Sequence, residues 1–132
     1  IVIDPFVEIQ KVIPSDAFMQ MPAFPWLFGG TVELDGNRSI VGAIGANGFE
    51  GEAYIFDRDV NTGLWSETQI LTGSTATNFG DQFGNCVHLS GDLAIVGASH
   101  SFTPTPGEAY IFERDPMTNL WAEVAAISAS II

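Results

Sequence analysis

The sequence predicts an all-β fold of four-stranded antiparallel sheets of the propeller-blade type, two full repeats plus the outer strand of a third. Three observations predict it. First, the chain repeats itself: residues 28–48 match residues 83–103 at nine of 21 positions, and after a one-residue insertion residues 49–67 match 105–123 at 12 of 19. Self-similarity at this period marks a supersecondary unit whose apolar faces are covered by a neighbouring unit. Second, each copy contains short β-branched and aromatic runs separated by Gly-centred turns at strand-like intervals. Third, the 132 residues include 14 Gly, 7 Pro and 10 Phe and are 46% hydrophobic, a balance that supplies both turns and a core.

The elements follow in order. Phe6-Val7-Glu8-Ile9-Gln10-Lys11-Val12-Ile13 shares the apolar-x-Glu opening of Trp65-Ser66-Glu67, so it is expected to be the outer strand of a preceding blade. Pro14 to Leu27 then corresponds to the linker Thr72–Gln82, with Trp26 standing where the later copy has the turn acid Asp81. These assignments divide the chain into 1–27, 28–82 and 83–132. The first strand of each blade alternates, with Val87 and Leu89 on one face and Cys86 and His88 on the other. Asp35-Gly36-Asn37 and Ser90-Gly91-Asp92 supply the next turn. Ile40-Val41-Gly42-Ala43 and Ile95-Val96-Gly97-Ala98 form second strands, followed by loops that differ between copies. The third strands lie in an identical GEAYIF, Gly51–Phe56 and Gly107–Phe112, and the fourth open at Trp65 and Trp121. Both faces of these strands are apolar, as a sheet held between two others requires.

The series FG-x-x-V-x-L-x-G, IVGA, GEAYIF and a Trp-led strand resembles the FG-GAP repeat, over about residues 28–130. That repeat builds the seven-bladed β-propeller of integrin α-subunits and many secreted microbial and algal proteins. The resemblance implies an extracellular or cell-surface interaction module with a role in adhesion. Integrin-type blades often carry calcium loops resembling D-x-D-x-D-G-x-x-D between the first two strands. Here that position holds Asp35-Gly36-Asn37-Arg38 and Ser90-Gly91-Asp92-Leu93, one acid per turn, so neither calcium nor any other cofactor is carried over. Asp57-Arg58-Asp59-Val60-Asn61 imitates an EF-hand opening, but lacks its Gly and closing Glu and reads as a polar hairpin.

Other chemistry is narrowed by composition. Four basic residues, Lys11, Arg38, Arg58 and Arg114, face sixteen acids for a net charge of −12, which argues against nucleic acid and anionic lipid as partners. No apolar run approaches the roughly 20 residues of a membrane span, so membrane insertion is not expected. The chain opens on Ile1 without an initiator Met or a basic-then-apolar leader, and is expected to be a processed chain or a piece of a longer one. Cys86 has no second cysteine to pair with. Cys86 and His88 share a strand face, yet their counterparts are Thr31 and Glu33, so they read as a buried small thiol beside an edge histidine. No catalytic residue and no metal ligand is assigned, and the chain is not expected to be an enzyme.

Residues present in both copies are scaffold; those in one copy are where function is sought. The unrepeated loop residues Asn47, Phe49, His100 and Phe102 are candidate rim-loop binding residues. Phe6, Ile9, Phe18, Met21, Phe24 and Trp26, from the surplus strand and an apolar stretch without strand alternation, are candidate interface residues. Asn37-Arg38-Ser39 is an N-glycosylation sequon in a turn, and Thr103 and Thr105 lie in a Thr/Pro tract suited to O-linked sugars. A closed propeller needs at least four blades, so the partner is expected to be protein, either flanking blades or further copies assembling through blade faces and strand addition. The alternative is a propeller fragment that binds glycan, protein or a cation through its rim loops.

Overall fold

The structure, a computed structural model, describes residues 8–16, 27–102 and 104–129. Two four-stranded antiparallel sheets follow each other along the chain. Blade 1 contains β1 (Phe28–Asp35), β2 (Arg38–Ala43), β3 (Glu52–Arg58) and β4 (Trp65–Leu71), paired in that order. A single turn, α1 (Ala46–Phe49), lies between β2 and β3 and is left-handed at Asn47 and Gly48. Blade 2 contains β5 (Phe83–Ser90), β6 (Leu93–Ala98), β7 (Glu108–Arg114) and β8 (Trp121–Ser128), again in sequence order.

The repeat extends to register. Val41 pairs with Tyr54 as Val96 pairs with Tyr110, and both blades slip register at the same points, between β1 and β2 and within the β3–β4 ladder. Phe28 meets Tyr54 edge-on at 5.4 Å between centroids, and Phe83 meets Tyr110 at 5.3 Å. The shared aromatics thus form one packing unit used twice.

Alternation gives each blade two apolar faces. The front face holds Val41, Tyr54 and Phe56 in blade 1, and Val96, Tyr110 and Phe112 in blade 2. The back face holds Ile40 and Ile55, with Ile95 and Ile111 as their counterparts. The larger core is the back of blade 1 against the front of blade 2, joining Ile40, Ile55 and Leu71 to Phe83, Leu89, Val96, Tyr110 and Trp121. A smaller core covers the front of blade 1, where Val12 packs with Val41, Tyr54 and Phe56.

Residues 8–16 lie across that front face as a strap in the place where β4 meets blade 2. The Gln10 amide donates to the Trp65 carbonyl at 2.9 Å and accepts from its N–H at 2.8 Å. Gln69 of β4 makes the same two bonds to Trp121, both 2.8 Å. Ser15 bonds Glu67 through backbone and hydroxyl, as Ser74 bonds Glu123.

Two readings from the sequence are corrected. Cys86 is exposed, and so is His88, which lies 3.5 Å from Glu33. Their strand face is the back of blade 2, which no other described element covers. The expected outer strand over residues 6–13 is not formed in its described part: residues 8–13 join no sheet and lie on blade 1 through side-chain bonds and the packing of Val12 instead.

Candidate functional site

The seam between the blades shows what a blade face is built to receive. The Phe83 N–H donates to the Glu50 carbonyl at 2.8 Å, and Gly80 and Gln82 N–H groups both reach the Phe49 carbonyl at 3.0 Å. Gly51 bridges Phe83 in parallel. This approach leaves no room for side chains: a Cβ at Gly42 would overlap the Gly84 carbonyl oxygen, and one at Gly51 would overlap the Phe83 backbone. Glycine is required at Gly51 twice over, because its φ is 91°.

Blade 2 repeats the glycine positions of the receiving surface, without the positive φ of Gly51. Gly97 and Gly107 stand where Gly42 and Gly51 stand, and with Asn85, Cys86, Glu108, Ala109 and Ile127 they line an open groove of about 450 Å³. A Cβ at Gly97 would crowd the Cys86 sulfur of its own blade, and one at Gly107 only its own Ala98 and Ser99. The presenting edge is repeated as well. Phe28-Gly29 opens blade 1 with Gly29 at a φ of 87°, against 89° for Gly84, and among the described residues a Cβ built on Gly29 meets nothing within 4 Å beyond its chain neighbours.

Burial separates covered faces from open ones at matched positions. Leu34 is 64% exposed and its counterpart Leu89 is 3%; Ile95 is 37% exposed and Ile40 is 0%. Leu71, which packs on blade 2, is 2% exposed, whereas Ile127 at the same place in β8 is 54%. One chain therefore presents a bare back face on blade 2 and a part-bare front face on blade 1.

The repeated Glu-x-Tyr puts a carboxyl and a phenol on neighbouring strand positions at one rim. In blade 2, Glu108 accepts from Tyr110 and from Thr75 at 2.6 Å, and these hydroxyls, the Thr75 bond first, hold the Glu108 carboxyl below its ordinary range. In blade 1, Glu52 is buried and accepts from Tyr54 and from the Asn47 amide at 2.7 Å. Burial, then the charge of Asp16, push Glu52 up to about 7 against the opposing bonds from Tyr54 and Asn47.

The same rim carries three aromatic rings in a row. Phe49 lies 5.7 Å from Phe79, and Phe79 lies 5.9 Å from Phe102. Phe79 and Phe102 are exposed. The structure thus brings together two rim-loop candidates, Phe49 and Phe102, with a linker ring between them. Asn47 is exposed but engaged with Glu52. His100 is buried, its Nδ1 3.0 Å from Asp81 Oδ1 and its Nε2 3.5 Å from Glu108 Oε2, so it fastens the loop to the linker instead of facing solvent.

Asn37 is exposed in its turn, with its side-chain oxygen accepting from Arg58 at 3.2 Å. Thr105 is exposed and lies 3.2 Å from His100. Ile9, on the strap, is exposed. Phe6, Phe18, Met21, Phe24, Trp26 and Thr103 lie outside the described residues.

Among the described residues, no group of three or more His, Cys, Asp or Glu is arranged to hold a metal ion. The EF-hand-like carboxylates serve the backbone or arginines instead. Asp59 accepts from the Asn61 and Thr62 N–H groups, which hold its carboxyl below the ordinary value, the Thr62 bond first. Asp57 binds Arg38 at 2.7 Å.

Two Gly-rich four-stranded sheets stacked front to back define a propeller-type blade pair. Residues 65–112 match the family model of the FG-GAP repeat. The matched stretch runs from β4 through β7, so it crosses the seam between the blades. FG-GAP repeats generally act as non-enzymatic interaction modules and typically occur in extracellular domains. Comparison with curated proteins finds no match. No helix among the described residues is long and apolar enough to cross a membrane.

Proposed function

We propose that this chain is a non-enzymatic, extracellular adhesion or assembly module whose bare blade faces join another blade of the same kind. The observation that carries the reading is the matched burial. Ile95 and Ile127 are exposed where Ile40 and Leu71 are covered, and the difference between the two sets is one blade seated on the back face. An exposed apolar face of this kind favours association in water. The occupant that fits the Gly97–Gly107 groove is a Phe-Gly edge with glycine at positive φ, which Phe28-Gly29 of a second copy supplies. Such a head-to-tail contact is heterologous, and it builds open stacks unless the rotation closes. Light scattering on fractionated protein tests this: mass rising with concentration supports it, and a monodisperse 14.1 kDa species at every concentration opposes it.

A second reading is favoured by the aromatic row. The half-buried Phe49 and the exposed Phe79 and Phe102 form a platform beside Gln82, Ser99 and Ser101, whose side chains hydrogen-bond one another. Arg38, Arg58 and Arg114 lie at the far ends of the strands, which suits the platform to an uncharged ligand such as a neutral glycan. Glycan-array binding that Phe79→Ala abolishes would support this; an unchanged signal would oppose it.

A further inference from the structure

The strongest unexplained arrangement is the contact between the strap and blade 1 at Tyr54. The buried Tyr54 hydroxyl lies between two carboxyl groups, bonded to Glu52 and 3.1 Å from Asp16 Oδ1. A phenol has one proton and can donate to one of these oxygens at a time. With both carboxylates ionised, one of the two contacts has no hydrogen and brings like charges together in a buried site. One added proton on the Glu52–Asp16 pair supplies the missing donor and removes the repulsion. Blade 2 lacks this conflict: Thr75 stands where Asp16 stands, and its hydroxyl and that of Tyr110 both serve an ionised Glu108.

We infer that residues 8–16 are a proton-dependent strap, held on the front of blade 1 when the Glu52–Asp16 pair carries one proton and loosened when it carries none. Three further observations fit a strap that can leave. It belongs to no strand of either sheet. It covers the front face incompletely, leaving a cavity of about 220 Å³ lined by Gln10, Val12, Leu34, Val41, Phe56 and Trp65. Its other hydrogen bonds to blade 1, through Gln10 and Ser15, are exposed, and its apolar hold is the half-buried Val12 and the buried Pro14. Among the described residues, those bonded at the switch include Asp16 from the strap, Tyr54 from β3 and the neutral Asn47 from α1.

The sign follows from linkage. Strapped, Glu52 titrates near 7 against an ordinary 4.5; release removes the Asp16 charge and the share of burial that the strap supplies, so its carboxyl moves back toward the ordinary value. The strapped state binds more protons between these values, so its advantage is complete below pH 4.5, falls through the interval, and is gone above 7. The ceiling on the change is ten raised to that difference, about 300-fold in the strap equilibrium, and burial that blade 1 keeps around Glu52 on release lowers it. This is a property of one chain and stands whether or not copies assemble.

Hydrogen exchange of residues 8–16, corrected for the intrinsic pH dependence, tests the inference between pH 5 and 8. The expected result is protection that falls by one to two orders of magnitude toward pH 8, while residues 69–75 at the matching contact on blade 2 stay unchanged. Asp16→Thr, which copies Thr75, removes the Asp16 charge and should shrink the pH dependence of strap protection, and Glu52→Gln should keep protection high throughout. Strap protection that does not vary with pH in the wild type, or an Asp16→Thr variant with undiminished pH dependence, overturns the inference. If Asp16→Thr does not fold, the Glu52→Gln profile alone decides: a fall like that of the wild type overturns it and a flat profile supports it.

Discussion

Replacing Gly42 with alanine and, separately, Gly97 with alanine isolates the energy of one blade seated on another. The two glycines hold the same place in β2 and β6, and neither has the positive φ that would itself penalise a side chain. A methyl at Gly42 would overlap the Gly84 carbonyl of the next blade, a backbone atom that moves only if the seam opens. The bonds at risk are Phe83 N–H to Glu50 at 2.8 Å and Gln82 N–H to Phe49 at 3.0 Å. At about 1 kcal/mol each they give about 2 kcal/mol. Overpacking against the Gly84 backbone and the Thr31 methyl adds about 1–3 kcal/mol. Gly42→Ala should therefore destabilise by about 3–5 kcal/mol, a large fraction of a stability of order 5–15 kcal/mol. At Gly97 the methyl meets only the exposed Cys86 sulfur, which can rotate away at a cost of about 0.5–1.5 kcal/mol. The gain of about 0.5–1 kcal/mol from replacing a strand glycine offsets most of that. Urea titration followed by tryptophan fluorescence, at a protein concentration low enough to keep copies apart, reads both numbers. Equal effects within 1 kcal/mol would refute the reasoning, because the seam would then contribute nothing that a lone blade lacks.

Two further outcomes follow from matched positions. Leu71→Ala should cost about 2–4 kcal/mol by opening a cavity between the blades, whereas Ile127→Ala, exposed at the same place in β8, should cost under about 0.5 kcal/mol; denaturant midpoints compare them. Thr75→Val removes the first of the two hydroxyl bonds that depress Glu108, so its carboxyl should titrate higher, as carboxyl NMR would record. A depressed carboxyl contributes stability that is present above the ordinary 4.5 and is lost as pH falls through the lowered value, so the variant should unfold at a higher pH on acidification.

The duplicated motifs made the strands, the turns and the shared aromatic packing legible, because alternation and Gly-centred turns are local signals. Which faces are covered was not. Leu34 and Leu89 occupy identical positions in near-identical motifs, yet one is bare and the other buried, since burial depends on the neighbouring blade. Cys86 was read as buried for the same reason: strand alternation places it on a face without saying what covers that face. His100 was read as a rim residue because its loop is unrepeated, and a contact with Asp81, nineteen positions earlier, turns it inward. The Glu52–Asp16 pair joins residues 36 positions apart and left one trace in the sequence, the two-residue spacing in Glu-x-Tyr that puts acid and phenol on one face. The aromatic row was half legible: Phe49 and Phe102 stood out as unrepeated, while Phe79 joins them only through the fold.

The central claim is that the back of blade 2 is a receiving face for another blade. Sedimentation equilibrium of the wild type beside Gly107→Val tests it most directly, since the valine fills the groove from a position that touches only its own blade. The account predicts a wild-type mass that climbs with concentration above 14.1 kDa and a folded variant that stays at that value. Wild type and variant that associate alike, or a wild type that remains a 14.1 kDa monomer throughout, would contradict it.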